Sequence, residues 1–244
     1  MSAQEVALFG DQVAATRLSA KFAAVDSQKM LRLTIEDLYP GKIALVSSFG
    51  SDSAVLLHMV SEIDKALPIV FVDTLQLFPE TLVYRDALVA QLGLTGVVTA
   101  TPDPRVLDEE DSDKFLWTRD PDRCCEIRKI MPLAKALNGF EAWITGRKRF
   151  QAMTRMSLPL FEAEGERVKI NPLAGWTQVK LDAYFEMHGL PRHDLVKQNY
   201  LSIGCVPCTS PVKPGEEARA GRWRGRGKTE CGIHIQTLDA GSDI

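Results

Sequence analysis

With 244 residues, 45% of them apolar and 25% charged, the chain can bury a core of its own without disulfide or metal staples. A net charge of −3 speaks against a general nucleic-acid binder, and no apolar run approaches the roughly 20 residues that a membrane-spanning helix needs. The opening stretch, Met1 to Gln12, has neither a basic n-region nor an apolar h-region, so export is not expected and the cytoplasm is the expected compartment. Five cysteines in such a chain make a disulfide set improbable; metal binding, redox chemistry, a nucleophile or inert core thiols remain.

In chain order, residues 1–40 read as helical and stop at Tyr39-Pro40-Gly41. Ile43 to Val46 is a short apolar run of the kind that fills a buried parallel strand. A serine-rich loop, Ser47-Ser48-Phe49-Gly50-Ser51-Asp52-Ser53, leads into a predicted helix from Ala54 to Val60. Pro68 to Asp73 reads as a second strand, Thr81 to Leu92 as a helix, Gly96 to Ala100 as a third strand, and Ala142 to Thr145 as a fourth. The acidic run Asp108 to Asp113 is expected to be a solvated loop. Alternation at this spacing predicts an α/β fold with a doubly wound, mainly parallel sheet, whose ligands sit at the carboxyl ends of the strands. The serine-rich loop, Asp73, Thr74 and Gly146 all fall at such ends. From about residue 200 apolar periodicity fades, which predicts an irregular tail. We therefore divide the chain into a nucleotide-binding unit over 1–208 and a mobile C-terminal segment over 209–244. Arg219 to Lys228 is locally basic, which suits a small polyanion better than a long one.

The serine-rich loop offers an anion free backbone N–H groups, hydroxyls and a positive helix end. It lacks the Gly-Lys-Ser/Thr ending of a Walker A loop, so kinase-type transfer is not expected. The plainer alternative is a capping turn with Ser51 or Asp52 as N-cap.

Cys124-Cys125 and Cys205-Val206-Pro207-Cys208 form two close pairs. Zinc is the commonest occupant of such sets. Adjacent side chains on a helix diverge by about 100°, however, which makes joint ligation of one tetrahedral ion awkward. A four-iron cluster gives each cysteine its own iron. Cluster, zinc and unrelated thiols all stay open on spacing alone. A dithiol switch at Cys205 and Cys208 has no thioredoxin-like context and leaves the other pair unexplained. Cys231 lies between Lys228 and His234. Nearby cations favour a thiolate, so it reads either as a nucleophile or as a stray exposed thiol.

Taken together, the motifs resemble those of the assimilatory adenylyl-sulfate and phosphoadenylyl-sulfate reductases, from about residue 40 to residue 234. The matching stretches are Ser47–Ser53, Asp73-Thr74 with Phe78-Pro79-Glu80-Thr81, and Pro121–Lys129. They continue through Gly146–Arg149 with Gln151 and Thr154-Arg155, Gly204–Cys208, Arg219–Trp223 and Lys228–His234. The double cysteine, the C-x-x-C and the E-C-G-I-H tail in that order are the specific part. The resemblance implies a fold related to the PP-loop ATP pyrophosphatases. It also implies one 4Fe-4S cluster on Cys124, Cys125, Cys205 and Cys208, and Cys231 as the nucleophile that takes the sulfo group and releases AMP. Thioredoxin or a glutaredoxin-like dithiol would then free sulfite, a step of sulfate assimilation and cysteine biosynthesis.

By family position, Ser48, Phe49, Gly50, Ser51, Ser53, Asp73, Thr74, Gly146 and Arg147 would contact the nucleotide, with Arg155 near it. Lys129, Arg219, Arg222 and His234 would surround the phosphosulfate. Cluster cysteines in this family usually accompany adenylyl sulfate rather than its 3′-phosphorylated form, which is the nearest alternative. More distant readings are a PP-loop enzyme that thiolates tRNA and a zinc-held binding module. Homo-oligomerisation is left open. Two departures stand out. Phe49 replaces the first glycine of ATP-using PP-loops, where its bulk is expected to crowd a pyrophosphate, and Arg224-Gly225-Arg226-Gly227 is unusually rich in Gly and Arg.

Overall fold

A computed structural model describes residues 11–228, 230, 232 and 233. Its centre is a six-stranded sheet in the order β3-β2-β1-β4-β6-β5. The strands are β1 (Ile43–Ser47), β2 (Ile69–Val72), β3 (Val97–Ala100), β4 (Ala142–Ile144), β5 (Phe161–Glu164) and β6 (Arg167–Ile170). All neighbours run parallel except the β5–β6 hairpin. The expected doubly wound α/β sheet is therefore present, extended by a hairpin that the sequence reading did not include. In that hairpin Glu164 pairs with Arg167, and Gly165 takes a φ of 55° in the two-residue turn.

The apolar strands are buried on both faces, which is why they read as unbroken runs rather than alternating ones. Ile43, Leu45, Ile69, Phe71, Ala142 and Ile144 belong to the larger core. The alternate residues Ala44, Val70 and Trp143 belong to a second core on the opposite face. Helices α1 (Gln12–Phe22), α2 (Ser27–Leu33), α3 (Ser53–Ser61), α4 (Pro79–Leu92) and α9 (Gln178–Met187) contribute to the first core. Helix α3 is buried almost all round, as its unbroken apolar sequence requires. A continuous helical stretch covers the second face: α7 (Pro121–Cys125), a π turn (Glu126–Ile130) and α8 (Met131–Ala136). Leu133 and Leu137 anchor it against Trp143.

Two short helices, α5 (Pro104–Glu110) and α6 (Leu116–Arg119), precede that stretch. The acidic run is solvated at Asp108, Glu109 and Asp113, as expected, but it is not all loop and not all exposed. Asp108 to Glu110 lie in α5, and Asp111 is buried in an ion pair with Arg128. Residues 209–228 contain no helix or strand, yet they are held against the body. Trp223 N donates to Cys208 O (3.0 Å), and Ser210 N donates to Gly221 O (2.8 Å). A Cβ on Gly221 would lie 2.0 Å from that same Ser210 backbone, so the chain crossing there demands glycine.

Candidate active site

The strand order reverses between β1 and β4, which opens a crevice beyond their carboxyl ends. There a cavity of about 230 Å³ is bounded by the serine-rich loop, the 145–155 segment after β4, the 201–205 segment and the 219–223 turn.

Ser48, Gly50, Ser51 and Ser53 line this cavity, and the N-terminus of α3 begins at Ser53. The capping-turn alternative is not what forms. Asp52 holds the N-cap position without bonding the helix, and its carboxylate instead accepts from Lys148 Nζ (2.8 Å) and Gln151 Nε2 (3.4 Å). Ser51 Oγ donates to Leu201 O (3.0 Å), tying the loop to the segment before Cys205. The ring of Phe49 does not crowd the cavity as its bulk suggests. Its φ of 47° turns the side chain into the core, fully buried and edge-on to Phe71 at 5.4 Å.

After β4, Gly146, Arg147, Lys148, Gln151 and Arg155 also line the cavity. Burial, then the Arg155 cation, pulls Arg147 down to about 10, against the opposing pull of Glu164 and Glu230. It keeps its charge at neutral pH and pairs with Glu162 and Asn171. Burial likewise lowers Lys148, with Asp52 opposing. Arg155 forks onto Glu230, with Nε to Oε1 at 2.8 Å and Nη2 to Oε2 at 2.9 Å; Arg219 Nη2 reaches the same carboxylate at 3.0 Å. Arg222 stacks on Trp223 (4.5 Å), and among the described residues its buried Nε has no hydrogen-bond partner. Asp73 does not reach the cavity lining; its carboxylate accepts from Leu75 N (2.9 Å) within its own turn.

The four paired cysteines are all buried, beside the cavity. Thr74, which lines it, bonds Cys205 Sγ through its hydroxyl at 3.2 Å. Lys129, also in the lining, reaches Cys125 Sγ at 3.5 Å across the π turn. Burial, then Cys125, pushes the Cys124 thiol up to about 12, with Cys205 adding to the rise. Burial, then Cys205, raises Cys208, with Cys125 adding and Lys129 and Arg222 opposing. Lys129 at Cys125 and the Thr74 hydroxyl at Cys205 bring one member of each pair to the wall of the same cavity. Among the described residues no three His, Cys, Asp or Glu side chains are grouped as a single metal ion requires. Trp223 packs on Cys205 and Cys208, and its buried Nε1–H has no acceptor among the described residues. Four buried thiols, two of them packed on Trp223, have the chemistry to hold a sulfide-bearing cluster, whose sulfides would accept from the Trp223 N–H.

Of the expected site residues, Cys231 and His234 lie outside the described ones. Asp52, Lys148, Gln151 and Glu230 were not among those expected, although each stands inside a stretch that carries the family resemblance. Arg224 and Arg226 face other tasks: Arg224 pairs with Glu216 (2.7 Å), and Arg226 bonds Trp117 O and stacks on its ring (4.7 Å).

Residues 42–211 match the phosphoadenosine phosphosulfate reductase domain. The chain belongs to this family. An adenosine 5′-phosphosulfate reductase of Mesorhizobium japonicum is 50% identical over 92% of this chain and 89% of its own. One from Chelativorans is 49% identical, over 94% of both chains. Among solved structures, a phosphoadenylyl-sulfate reductase from Candida auris, in a phosphate complex, superposes with a TM-score of 0.71 at 26% identity, covering 83% of this chain and 98% of its own. The Candida glabrata FMN adenylyltransferase, at TM-score 0.53 and 14% identity, shares the fold alone. The Candida auris structure thus bears out the α/β fold that was read from the strand spacing. No helix among the described residues is long and apolar enough to cross a membrane.

Proposed function

We propose that the chain is an adenosine 5′-phosphosulfate reductase, in which Cys231 takes the sulfo group from adenylyl sulfate and a dithiol protein then releases sulfite. The observation that carries this reading is Lys129, which touches a thiol of the cysteine quartet while lining the nucleotide cavity. That the relatives at 49–50% identity are named adenosine 5′-phosphosulfate reductases supports adenylyl sulfate, rather than its 3′-phosphorylated form, as the substrate of this chain.

The residues supply what the reaction needs. The serine-rich loop and the start of α3 receive the phosphate, with hydroxyls and a positive helix end. Arg155, Arg219, Arg222 and Lys129 compensate charge as it gathers on the sulfo oxygens and the departing phosphate. His234 belongs with them by family position. AMP is a good leaving group, so no strong general acid is required. The Cys231 thiolate forms the S–S bond to the sulfo sulfur as the S–O bond to phosphate breaks, giving an S-sulfocysteine and AMP. A thiolate of thioredoxin or a glutaredoxin-like protein then attacks Cys231 Sγ and expels sulfite. Its second thiol closes a disulfide and restores Cys231, so the dithiol provides the two electrons. Cys124, Cys125, Cys205 and Cys208 would hold a 4Fe-4S cluster. When bound, that group supplies an electrostatic tie between its thiolates and Lys129. The reaction belongs to sulfate assimilation, and the cytoplasm is where reduced dithiol proteins would serve it.

Reduction assays with both nucleotides and thioredoxin test the proposal, and a clear preference for the 3′-phosphorylated substrate would overturn the choice of adenylyl sulfate. Cys231→Ser is expected to abolish turnover and retain iron. Sulfite-derived mass on another cysteine after single turnover would refute the assignment.

A further inference from the structure

Glu230 is an anion seated where the proposed site needs cations to be available. Its carboxylate takes the Nε–Nη2 edge of Arg155, the edge whose geometry fits two oxygens of one anion, while Nη1 of the same guanidinium holds Gln151 Oε1 at 2.8 Å. Arg219 closes on the second carboxylate oxygen. The three side chains are 9%, 15% and 12% exposed for Arg155, Arg219 and Glu230, so water screens the arrangement little. All three line the same cavity. Of the other cations in the lining, Lys148 is paired with Asp52 and Arg147 with Glu162, while Lys129 and Arg222 stand beside the Arg155–Arg219–Glu230 group. A phosphate or sulfo group offers the same pair of oxygens as a carboxylate, and it carries the same sign. The two anions are alternatives for one fork, or neighbours at a cost.

We propose that Glu230 competes with the phosphosulfate of the substrate for Arg155 and Arg219, and so sets the affinity of the site for its nucleotide. The inference rests on the reading of this cavity as the sulfonucleotide site. Glu230 is then an affinity-setting residue rather than a catalytic one. It contributes nothing to the bonds that break, and it lowers binding by holding the guanidiniums that the ligand must take.

Equilibrium titration of the cluster-loaded protein tests this with ADP, whose β-phosphate stands in for the sulfo group and offers no sulfur to attack. Adenosine, which carries no anion, is the control. Glu230→Gln keeps the shape and removes the charge, and it is expected to bind ADP about fivefold to fiftyfold more tightly while adenosine is unchanged. Unchanged or weaker ADP binding would overturn the proposal. An equal gain for adenosine would overturn it too, since that is the mark of looser packing rather than of a displaced anion. Arg155→Gln added to Glu230→Gln should weaken ADP again by tenfold or more. If ADP does not respond to Arg155 in that background, the cavity is not the anion site and the reading beneath the proposal fails. If it responds but Glu230→Gln alone gains nothing, the competition alone fails. Glu230→Asp, a shorter carboxylate with the charge retained, should stay near wild-type affinity.

Discussion

Asp111→Asn is the sharpest test of how the cysteine-bearing stretch is held. Asp111 and Arg128 form an ion pair with side chains 0% and 4% exposed; Asp111 Oδ2 accepts from Arg128 Nε at 2.9 Å and from Nη2 at 2.5 Å. The same carboxylate accepts from Leu116 N (2.7 Å), and Arg128 Nη1 donates to Thr74 O (2.8 Å), beside the Thr74 hydroxyl that bonds Cys205. Asparagine keeps the volume and can still accept from Leu116. What it removes is the charge, leaving a guanidinium stranded in the interior. Breaking one partner of a buried pair costs about 3–5 kcal/mol, whereas removing both with apolar isosteres is often close to neutral. At about 1.4 kcal/mol per factor of ten, the folded-to-unfolded ratio should fall by roughly two to three and a half orders of magnitude, a large share of the ~5–15 kcal/mol that a domain has. Urea denaturation under anaerobic conditions, followed by tryptophan fluorescence and by the cluster's absorbance, measures it. Arg128→Met added to Asp111→Leu should recover much of the loss. A loss below about 1 kcal/mol for Asp111→Asn would refute the reasoning, because it would mean that solvent or a second anion compensates Arg128.

Three further outcomes are expected. Gly221→Ala pushes a methyl against the Ser210 carbonyl and should cost about 1–3 kcal/mol, seen as a lower melting temperature. Gly204→Ala meets the Arg222 guanidinium at 2.3 Å instead, a side chain able to move, so it should raise KM for the nucleotide more than it lowers melting temperature. His193 is fully buried; its Nδ1 accepts from Leu195 N (3.2 Å) and its Nε2 lies 3.0 Å from the Thr81 hydroxyl, so both nitrogens are committed to the neutral ring. Burial lowers its pKa from 6.5, with Asp194 and Glu80 opposing. Below 6.5 the unfolded chain therefore binds more protons than the folded one, and stability falls as pH drops. His193→Gln should flatten that part of the pH–stability curve, and an unchanged slope would place the acid sensitivity elsewhere.

Strands β1, β2 and β4 were legible because burial on both faces leaves an unbroken apolar run, and Ile43 to Val46 could hardly be anything else, whereas β3, with Val98 and Thr99 exposed, was legible from its residue types alone. The β5–β6 hairpin was not. Only Phe161 and Ala163 of β5 face the core, and the intervening Glu162 and Glu164 are spent on Arg147, Lys169 and Trp143, partners that no local pattern announces. The acidic run misled for a similar reason. Charge in sequence says "solvent" until a distant cation supplies the compensation, and Arg128 lies 17 residues on from Asp111.

The site divides along the same line. Residue types that chemistry demands, thiols and cations in a fixed order, could be read one by one. Which cation is already matched with which anion could not. The serine-rich loop shows the difference most clearly, because its two least expected features are three-dimensional. Phe49 escapes the cavity only by adopting a left-handed φ. Asp52 abandons helix capping only because Lys148, buried and pulled below its ordinary pKa, needs a carboxylate more than the helix does. An N–H left at a helix start can be served by a nucleotide phosphate, whereas a buried ammonium without a counter-charge would have to give up its proton. On the proposed reading, the loop keeps its helix end for the ligand by spending its own acid on the lysine. Asp52→Ser, a comparable cap but no counter-ion, should weaken binding of AMP as well as stability; a tighter complex would show that the capping role was the one that mattered.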